Sequence, residues 1–261
     1  MKKRSPLAIS KSVVFALTLR EIRGRLNAKR VGAFWILFEP IAHVLGMVLI
    51  ISVIRGRTIP GFDVPVFLLA GIVPFLLFKN ICLKLMEAVS SNKALFSYKQ
   101  IKPADAFVAR VVVECALYAC VYALLMACVG FFIGFNVMIA HPLEWLFILA
   151  VGVALSLSVG IIMCIIGEAI PELKSFFRLL FLPMYLISGV VYPLWVIPES
   201  TLPWITWNPF LHVVDSLRWA VFPNYPSTVG VNPWYPLGVT VVLLFIATGL
   251  YRARRKMLVA V

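Results

Sequence analysis

The sequence predicts an all-α polytopic integral membrane protein with six transmembrane helices and both termini in the cytoplasm. Three observations predict this fold class. Hydrophobic residues make up 62% of the 261 residues and the mean hydropathy is +0.99, well above the apolar share of about 45–50% in a soluble domain. Six apolar runs approach the roughly 20 residues that a helix needs to cross a bilayer. The cations lie almost entirely on one predicted side of these runs.

The six runs are bounded by charges, prolines or glycines, and together they predict one membrane domain over residues 1–261. The second run is the most polar, because Pro74 interrupts it and Lys79 and Lys84 fall near its end. The sixth is short for a bilayer-crossing helix. The predicted spans are residues 33–54, 64–85, 107–135, 143–166, 176–194 and 237–251.

The distribution of positive charge predicts the orientation. With the N-terminus inside, only Arg55, Arg57 and Arg218 of the 24 Lys and Arg residues fall on the outer side. Cytoplasmic segments of membrane proteins carry an excess of Lys and Arg. The net charge of +13 therefore follows from topology and does not indicate nucleic-acid binding.

The segment 195–236, between the fifth and sixth spans, is too long for a simple turn and is largely apolar. Tryptophan favours the membrane interface, where its ring is apolar and its N–H is hydrated. We expect short helices that lie in, or dip into, the outer leaflet. Five tryptophans of this segment support an interfacial position: Trp195, Trp204, Trp207, Trp219 and Trp234.

Residues 1–30 are predicted to form an amphipathic helix on the cytoplasmic membrane surface. Its apolar residues recur at i, i+4, i+7 and i+11, the spacing of one helical face, and its cations would point toward anionic headgroups. The alternative is an ordinary amphipathic helix that packs against the bundle. The apolar face consists of Phe15, Leu19, Ile22 and Leu26, and the cations off that face are Arg20, Arg23 and Arg25.

The cytoplasmic loop 86–106 sets aromatic residues among cations, which is unusual for a plain linker. Aromatic residues that fill a partner's pocket dominate many interfaces, so this loop is predicted to dock on a cytoplasmic partner. The alternative is a loop that lies on the membrane surface. The candidate docking residues are Lys93, Leu95, Phe96, Tyr98 and Lys99.

The sequence contains no motif for catalysis or ATP binding. A G-x-x-x-x-G-K-[ST] motif is absent, so ATP-driven work requires a partner chain. The cysteines have no metal-ligand spacing, and they are expected to act as small apolar residues: Cys82, Cys115, Cys120, Cys128 and Cys164. We expect no cofactor in this chain and no metal site.

Few ionisable residues fall inside the spans, and such residues are functional candidates. Glu39 and His43 are four residues apart on one helix and could meet, although Glu39 could instead pair with an interfacial arginine. Glu114 follows Arg110 by four residues, a spacing that predicts a local ion pair on a helix.

Four segments resemble the permease subunits of ABC-2 polysaccharide exporters, and in particular those of group 2 capsular polysaccharide exporters of the KpsM type. The resemblance covers nearly the whole chain. The first segment runs from Leu19–Arg23 to Trp35 and Glu39-Pro40. The others are Pro65–Phe75, Asn92–Asp105 and Trp207–Val214.

The resemblance implies an ABC-2 permease that forms a homodimer in the bacterial inner membrane. Two copies of a separate ATPase would bind ATP and Mg and drive export of a lipid-linked, acidic capsular polysaccharide. Periplasmic and outer-membrane export proteins would continue the path. Residues 86–106 would match the family's coupling helix, residues 1–30 its gate helix, and residues 195–236 its outer re-entrant helices.

The resemblance also places spans one and five along the translocation channel. Aromatic side chains there could stack on sugar rings through weak, repeated contacts that let a chain slide, as multi-site weak binding permits conduction in channels. The alternative is that these aromatics only pack or face lipid. The candidates are Phe34, Trp35, Phe38, Glu39, His43, Phe177, Phe181 and Tyr185.

Arg55 and Arg57 on the outer side could hold an acidic glycan or a periplasmic partner, or they could snorkel to headgroups. Three other functions compete with capsule export. They are export of another lipid-linked glycan such as O-antigen or teichoic acid, glycan processing by a membrane-embedded enzyme, and a structural scaffold.

Overall fold

The computed structural model describes residues 5–27, 32–54, 61–98 and 100–259. Within these ranges the chain is helical and contains no β-strand, which confirms the predicted all-α class. The α-helices are α1 (Pro6–Asn27), α2 (Gly32–Ile54), α3 (Val64–Met86), α4 (Pro103–Cys128), α5 (Pro142–Ala169), α6 (Leu173–Ile187), α7 (Pro209–Val221) and α8 (Trp234–Val259).

Three connections contain shorter helical segments. A 3₁₀ segment, Ser90–Ser97, joins α3 to α4, and a π-helical turn, Val129–Ile133, continues α4. Two single 3₁₀ turns, Leu194–Val196 and Leu202–Trp204, lie between α6 and α7. The outer segment is therefore built mostly of short helices.

Four helices of the described residues are long and apolar enough to cross a membrane: α3, α4 with its π-helical turn, α5 and α8. Helix α6 has only 15 residues. Helix α2 contains a shorter apolar stretch, Pro40–Ile51. The chain is thus a multi-pass membrane protein. Membrane crossing by α2 and α6 stays a prediction.

Two helices differ in length from the predicted spans. Helix α8 has 26 residues and extends beyond residues 237–251, because Arg and Lys are good helix formers and prolong it past the apolar run. Helix α6 stops at Ile187, short of residue 194. Gly189 follows with a φ of +65°, a left-handed conformation that glycine adopts without strain.

Helix α3 is the centre of the bundle, with most of its residues buried. Glycines on α5 let the two helices approach closely, as small residues do in membrane bundles. A Cβ added at Gly152 would overlap the Phe78 ring, and one added at Gly160 would lie 2.8 Å from Leu85 Cβ. The peripheral helices instead expose apolar side chains, as expected of surfaces that face lipid.

Helix α1 lies against α4 and buries Leu17. Of the predicted apolar face, Phe15 and Leu19 are exposed and Ile22 is half-buried, while the side chain of Leu26 lies outside the described part of the chain. This arrangement leaves an apolar strip that a membrane surface could cover.

Candidate docking and translocation site

The 3₁₀ segment Ser90–Ser97 presents some of its side chains inward and others outward. Asn92 is buried, and Phe96 is only 4% exposed and belongs to the hydrophobic core. Tyr98 directly follows the segment and is 65% exposed. Phe96 is therefore an internal anchor of the segment, whereas Tyr98 is available to a partner.

The remaining predicted docking residues are distributed in the same way. Lys93 is exposed and Leu95 is half-buried. Lys99 lies outside the described residues. The surface that the segment offers thus consists of a cation and an aromatic ring held on a buried apolar anchor.

Helix α1 is tied to this segment by a hydrogen bond from Arg20 to the Asn92 side-chain carbonyl. The Asn92 amide also donates to the Ala88 carbonyl at 2.7 Å, which fixes the orientation of the side chain. Arg20 was predicted to point toward lipid headgroups. Arg20 is exposed and also donates to the protein, because a buried amide oxygen requires a donor. Its contact with headgroups stays a prediction.

A second link joins α1 to α4 through Glu114. Its carboxylate accepts from Arg25, which also lies 3.3 Å from Glu21. The predicted ion pair between Glu114 and Arg110 is wrong, since Glu114 faces α1. Burial by itself would lower the pKa of Arg25. The hydrogen bond and the negative charge of Glu114, together with Glu21, have the larger combined effect, so the pKa of Arg25 is raised.

Arg110 completes the network from α4. It donates to the Lys84 carbonyl and, at 2.5 Å, to the Ser91 hydroxyl, and it lies 3.8 Å from Glu21. Ser10 also donates to Asp105 at 2.6 Å. Helix α1, the end of α3, the 3₁₀ segment and the start of α4 are thereby held together by polar contacts.

Two of the predicted channel residues, His43 and Tyr185, meet between α2 and α6. A ring nitrogen of His43 lies 3.3 Å from the Tyr185 hydroxyl, and the two rings meet edge to face. Phe38 is exposed, Phe177 is half-buried and Phe181 is buried. The side chains of Phe34, Trp35 and Glu39 lie outside the described part of the chain.

Arg218 on α7 is the main feature of the outer segment, and it is completely buried. It donates to the carbonyls of Gly189 at 2.6 Å and Phe67 at 3.3 Å, and also to Val190. Arg218 therefore joins α7, the start of α3 and the turn after α6.

Two further buried polar residues lie on α7. Asp215 accepts from the Tyr225 hydroxyl at 2.6 Å, and burial raises the pKa of Asp215 to about 6. His212 accepts from the Asn232 N–H at its Nδ1, so its Nε2 donates to the Thr206 carbonyl. Burial lowers the pKa of His212, which favours this neutral form.

The predicted outer-side tryptophans separate into two groups. Trp195 is half-buried and packs 5.0 Å from Tyr225 between ring centroids. Trp204 and Trp207 are exposed, as expected of interfacial residues. Arg55 and Arg57 lie outside the described residues.

The profile of the ABC-2 type transporter family matches residues 12–222. The chain belongs to the ABC-2 type transporter family. It is 38% identical over 253 residues, 97% of both chains, to the polysialic acid transport protein KpsM of Escherichia coli. It is 24% identical to the capsule polysaccharide export inner-membrane protein CtrC of Neisseria meningitidis, covering 92% of this chain and 90% of that one.

A third relative of this ABC-2 permease is named for the export of a different glycan. The O-antigen export system permease protein RfbA of Myxococcus xanthus is 23% identical over 249 residues, 94% of both chains. The family identity confirms the resemblance drawn from the sequence segments. It makes the chain a transport permease.

Sequence reasoning missed three residues of this ABC-2 permease that organise the site. Arg218 was counted only as an outer cation, although a single cation in an apolar segment signals a buried partner set. Asn92 and Glu114 were seen without their long-range partners on α1. Nothing in local spacing predicts those contacts, because they join positions far apart in the chain.

Proposed function

We propose that this chain is the transmembrane subunit of an ATP-driven exporter that moves a lipid-linked capsular polysaccharide across the bacterial inner membrane. The observation that carries the proposal is its 38% identity to a polysialic acid transport protein over 97% of both chains. Two copies of the permease would pair with two copies of an ATPase that binds ATP and Mg. Periplasmic and outer-membrane proteins would accept the glycan.

In this proposal the N- and C-termini are cytoplasmic and α2 and α6 complete a set of six spans. The 3₁₀ segment Ser90–Ser97 docks on the ATPase, with Lys93 and Tyr98 at the contact and Phe96 as its anchor. Movement of the segment reaches α1 through Arg20 and Asn92. Helix α1, with its exposed apolar strip on the membrane surface, then acts as the gate.

The channel in this proposal follows α2 and α6. The contact of His43 with Tyr185 lies between these two helices, and neighbouring aromatics offer flat faces to sugar rings. Glu39, Phe34 and Trp35 would extend the lining toward the cytoplasm. The acidic glycan would meet Arg55 and Arg57 near its exit.

The experiment is deletion of the gene followed by complementation, with surface polysaccharide and intracellular lipid-linked glycan measured separately. We expect deletion to remove the surface capsule and to accumulate the glycan inside the cell. Loss of O-antigen instead would favour the function named for RfbA. Normal surface capsule in the deletion strain would contradict the proposal.

Co-purification with the ATPase tests the docking assignment. Tyr98→Asp should weaken the complex while leaving thermal stability unchanged, because Tyr98 is exposed. Phe96→Asp should lower both ATPase binding and thermal stability, because it buries a charge in the core. Equal ATPase binding by wild type and Tyr98→Asp would remove Tyr98 from the contact.

A further inference from the structure

The last turns of α8 carry four cations with no role in the site described above. Arg252, Arg254, Arg255 and Lys256 are all exposed. In the residues that the structure covers, none of the salt bridges involves these four side chains or Lys102. They form a cluster of positive charge at the end of α8.

This end of α8 packs beside the 3₁₀ segment, and the two elements line an open recess of about 510 Å³. Phe96, Ile101, Pro103 and Val259 form its apolar floor. Lys102, Arg255 and Lys256 form its rim, and no carboxylate of the described residues lines it. An apolar floor within a charged rim resembles the anatomy of a protein interface.

A smaller cleft of about 130 Å³ lies at another point of the same contact. Lys93 of the 3₁₀ segment and Arg254 of α8 line it together with Glu168 and Met257. The segment and the end of α8 therefore share two recesses. Lys93 of the segment and the α8 cations Arg254, Arg255 and Lys256 lie around these two recesses.

We propose that the ATPase-docking surface is composite, made of the 3₁₀ segment and the C-terminal end of α8, and that the partner places acidic side chains opposite Lys102, Arg255 and Lys256. This inference rests on the proposed function, because it deepens the same docking site. The cationic rim of the larger recess, which no carboxylate of the described residues lines, carries it. The cationic rim attracts carboxylates, which steer association and fix the register of the bound surfaces.

An anionic lipid headgroup could also neutralise these cations, but two features favour a protein. The surface extends over two recesses, and apolar side chains line both of them. Tyr98 and Met257 are exposed on the same two elements. Aromatic residues and methionine are enriched in protein interfaces.

The test uses the full-length permease in detergent free of anionic lipid, titrated with its own ATPase at low and high salt. The double variant Arg255→Glu with Lys256→Glu should weaken the complex about tenfold or more at low salt, with a smaller difference at high salt. Arg252→Glu is the matched control, because Arg252 lies on the same helix end and lines neither recess. It should bind nearly as wild type does.

The outcomes separate this inference from the proposed function. Suppose that the wild type binds the ATPase, that Tyr98→Asp weakens binding and that the double variant binds normally. The 3₁₀ segment then remains the docking site, and the proposed contribution of α8 is overturned. If the double variant loses only anionic-lipid binding, measured in vesicles of phosphatidylglycerol, the lipid reading replaces ours. If the wild type binds no ATPase, the proposed function itself fails.

A second measurement does not depend on the variants folding. A carbodiimide activates a carboxylate, and the neutral amine of a lysine in direct contact then forms an amide with it and releases the urea. In the assembled complex we expect a cross-link between Lys256 and an Asp or Glu of the ATPase, identified by mass spectrometry. Cross-links of Lys256 confined to its own chain would overturn the proposal.

Discussion

The Arg218 guanidinium carbon lies 3.8 Å from the centroid of the Phe67 ring, which places a full cation–π contact inside the protein. The same guanidinium donates to the backbone carbonyl of Phe67 on α3 and to the carbonyl of Gly189 in the turn after α6. Arg218→Ala would leave these buried acceptors unpaired, at a cost on the order of 3 kcal/mol or more. We expect a large fall in the melting temperature of the detergent-solubilised protein.

Arg218→Lys separates charge from geometry, because a lysine cannot reproduce the planar fork of donors. It should recover only a small part of the lost stability. Arg252→Lys, at an exposed position, should leave the melting temperature unchanged. A wild-type melting temperature for Arg218→Ala would mean that the buried contacts contribute nothing.

Gly71 is required by the position of Arg218. A Cβ at Gly71 would overlap the guanidinium, so Gly71→Ala should destabilise the protein. Gly249→Ala is the matched control in another span, since no atom lies within 4 Å of its added Cβ. There, alanine should be neutral or stabilise the helix by about 0.5–1 kcal/mol.

The melting temperatures of the wild type, of Gly71→Ala, of Arg218→Ala and of the variant with both changes give a thermodynamic cycle. The two changes share one space, so their effects should be strongly non-additive. Strict additivity would show that the two sites do not interact.

The link between α1 and α4 should depend on Arg25 and Glu114 as a pair. Glu114 is buried and Arg25 is largely so, so Arg25→Gln leaves a buried carboxylate without its counter-ion. We expect this variant to cost about 1–3 kcal/mol and to make α1 more accessible to protease. Glycan export should fall further than expression does.

Arg25→Gln with Glu114→Gln should be milder than Arg25→Gln alone, because no charge then stays unpaired. Arg23→Gln serves as the control, since Arg23 is exposed on the same helix. Equal protease sensitivity of α1 in the Arg25 and Arg23 variants would contradict the proposed link.

The stability of the outer segment should depend on pH through Asp215. Its pKa rises from an ordinary 3.8 to about 6 in the folded protein, so the folded state holds this proton more tightly than the unfolded state does. The resulting contribution to stability is fully present below about pH 3.8 and is lost as pH rises to about 6.

Asp215→Asn removes this titration and keeps an oxygen that can accept from Tyr225. Relative to the wild type, the variant should gain stability between pH 4 and pH 6.5, on the order of 2 kcal/mol. Melting temperatures across this range provide the measurement. Parallel pH profiles for the two proteins would show that Asp215 does not titrate as described.

The helical class and the family followed from the sequence because both depend on many residues at once. Apolar runs need only composition and length, and α3 begins at Val64 as its run does. The end of α6 could not be predicted, since the apolar run continues and only the backbone at Gly189 turns. Apolarity alone does not encode where such a helix stops.

Side-chain placement within the site was harder to predict. Tyr98 and Phe96 have similar sequence surroundings, yet one is exposed and the other belongs to the core. Their difference arises from the end of the 3₁₀ segment, because Phe96 lies within the helical turn and Tyr98 is the extended residue that follows it. Glu114 pairs with Arg25 on α1 because the packing of α1 against α4 brings Arg25 closer to it than Arg110, its neighbour on the same helix.

Because α3 is enclosed by its own chain, it has little outer surface to offer to lipid or to a second copy. A contact between two permeases would therefore be formed by peripheral helices. Substitutions along α3 should be limited by volume, so that even an added methylene destabilises the protein. Along α8, bulk should matter far less than polarity.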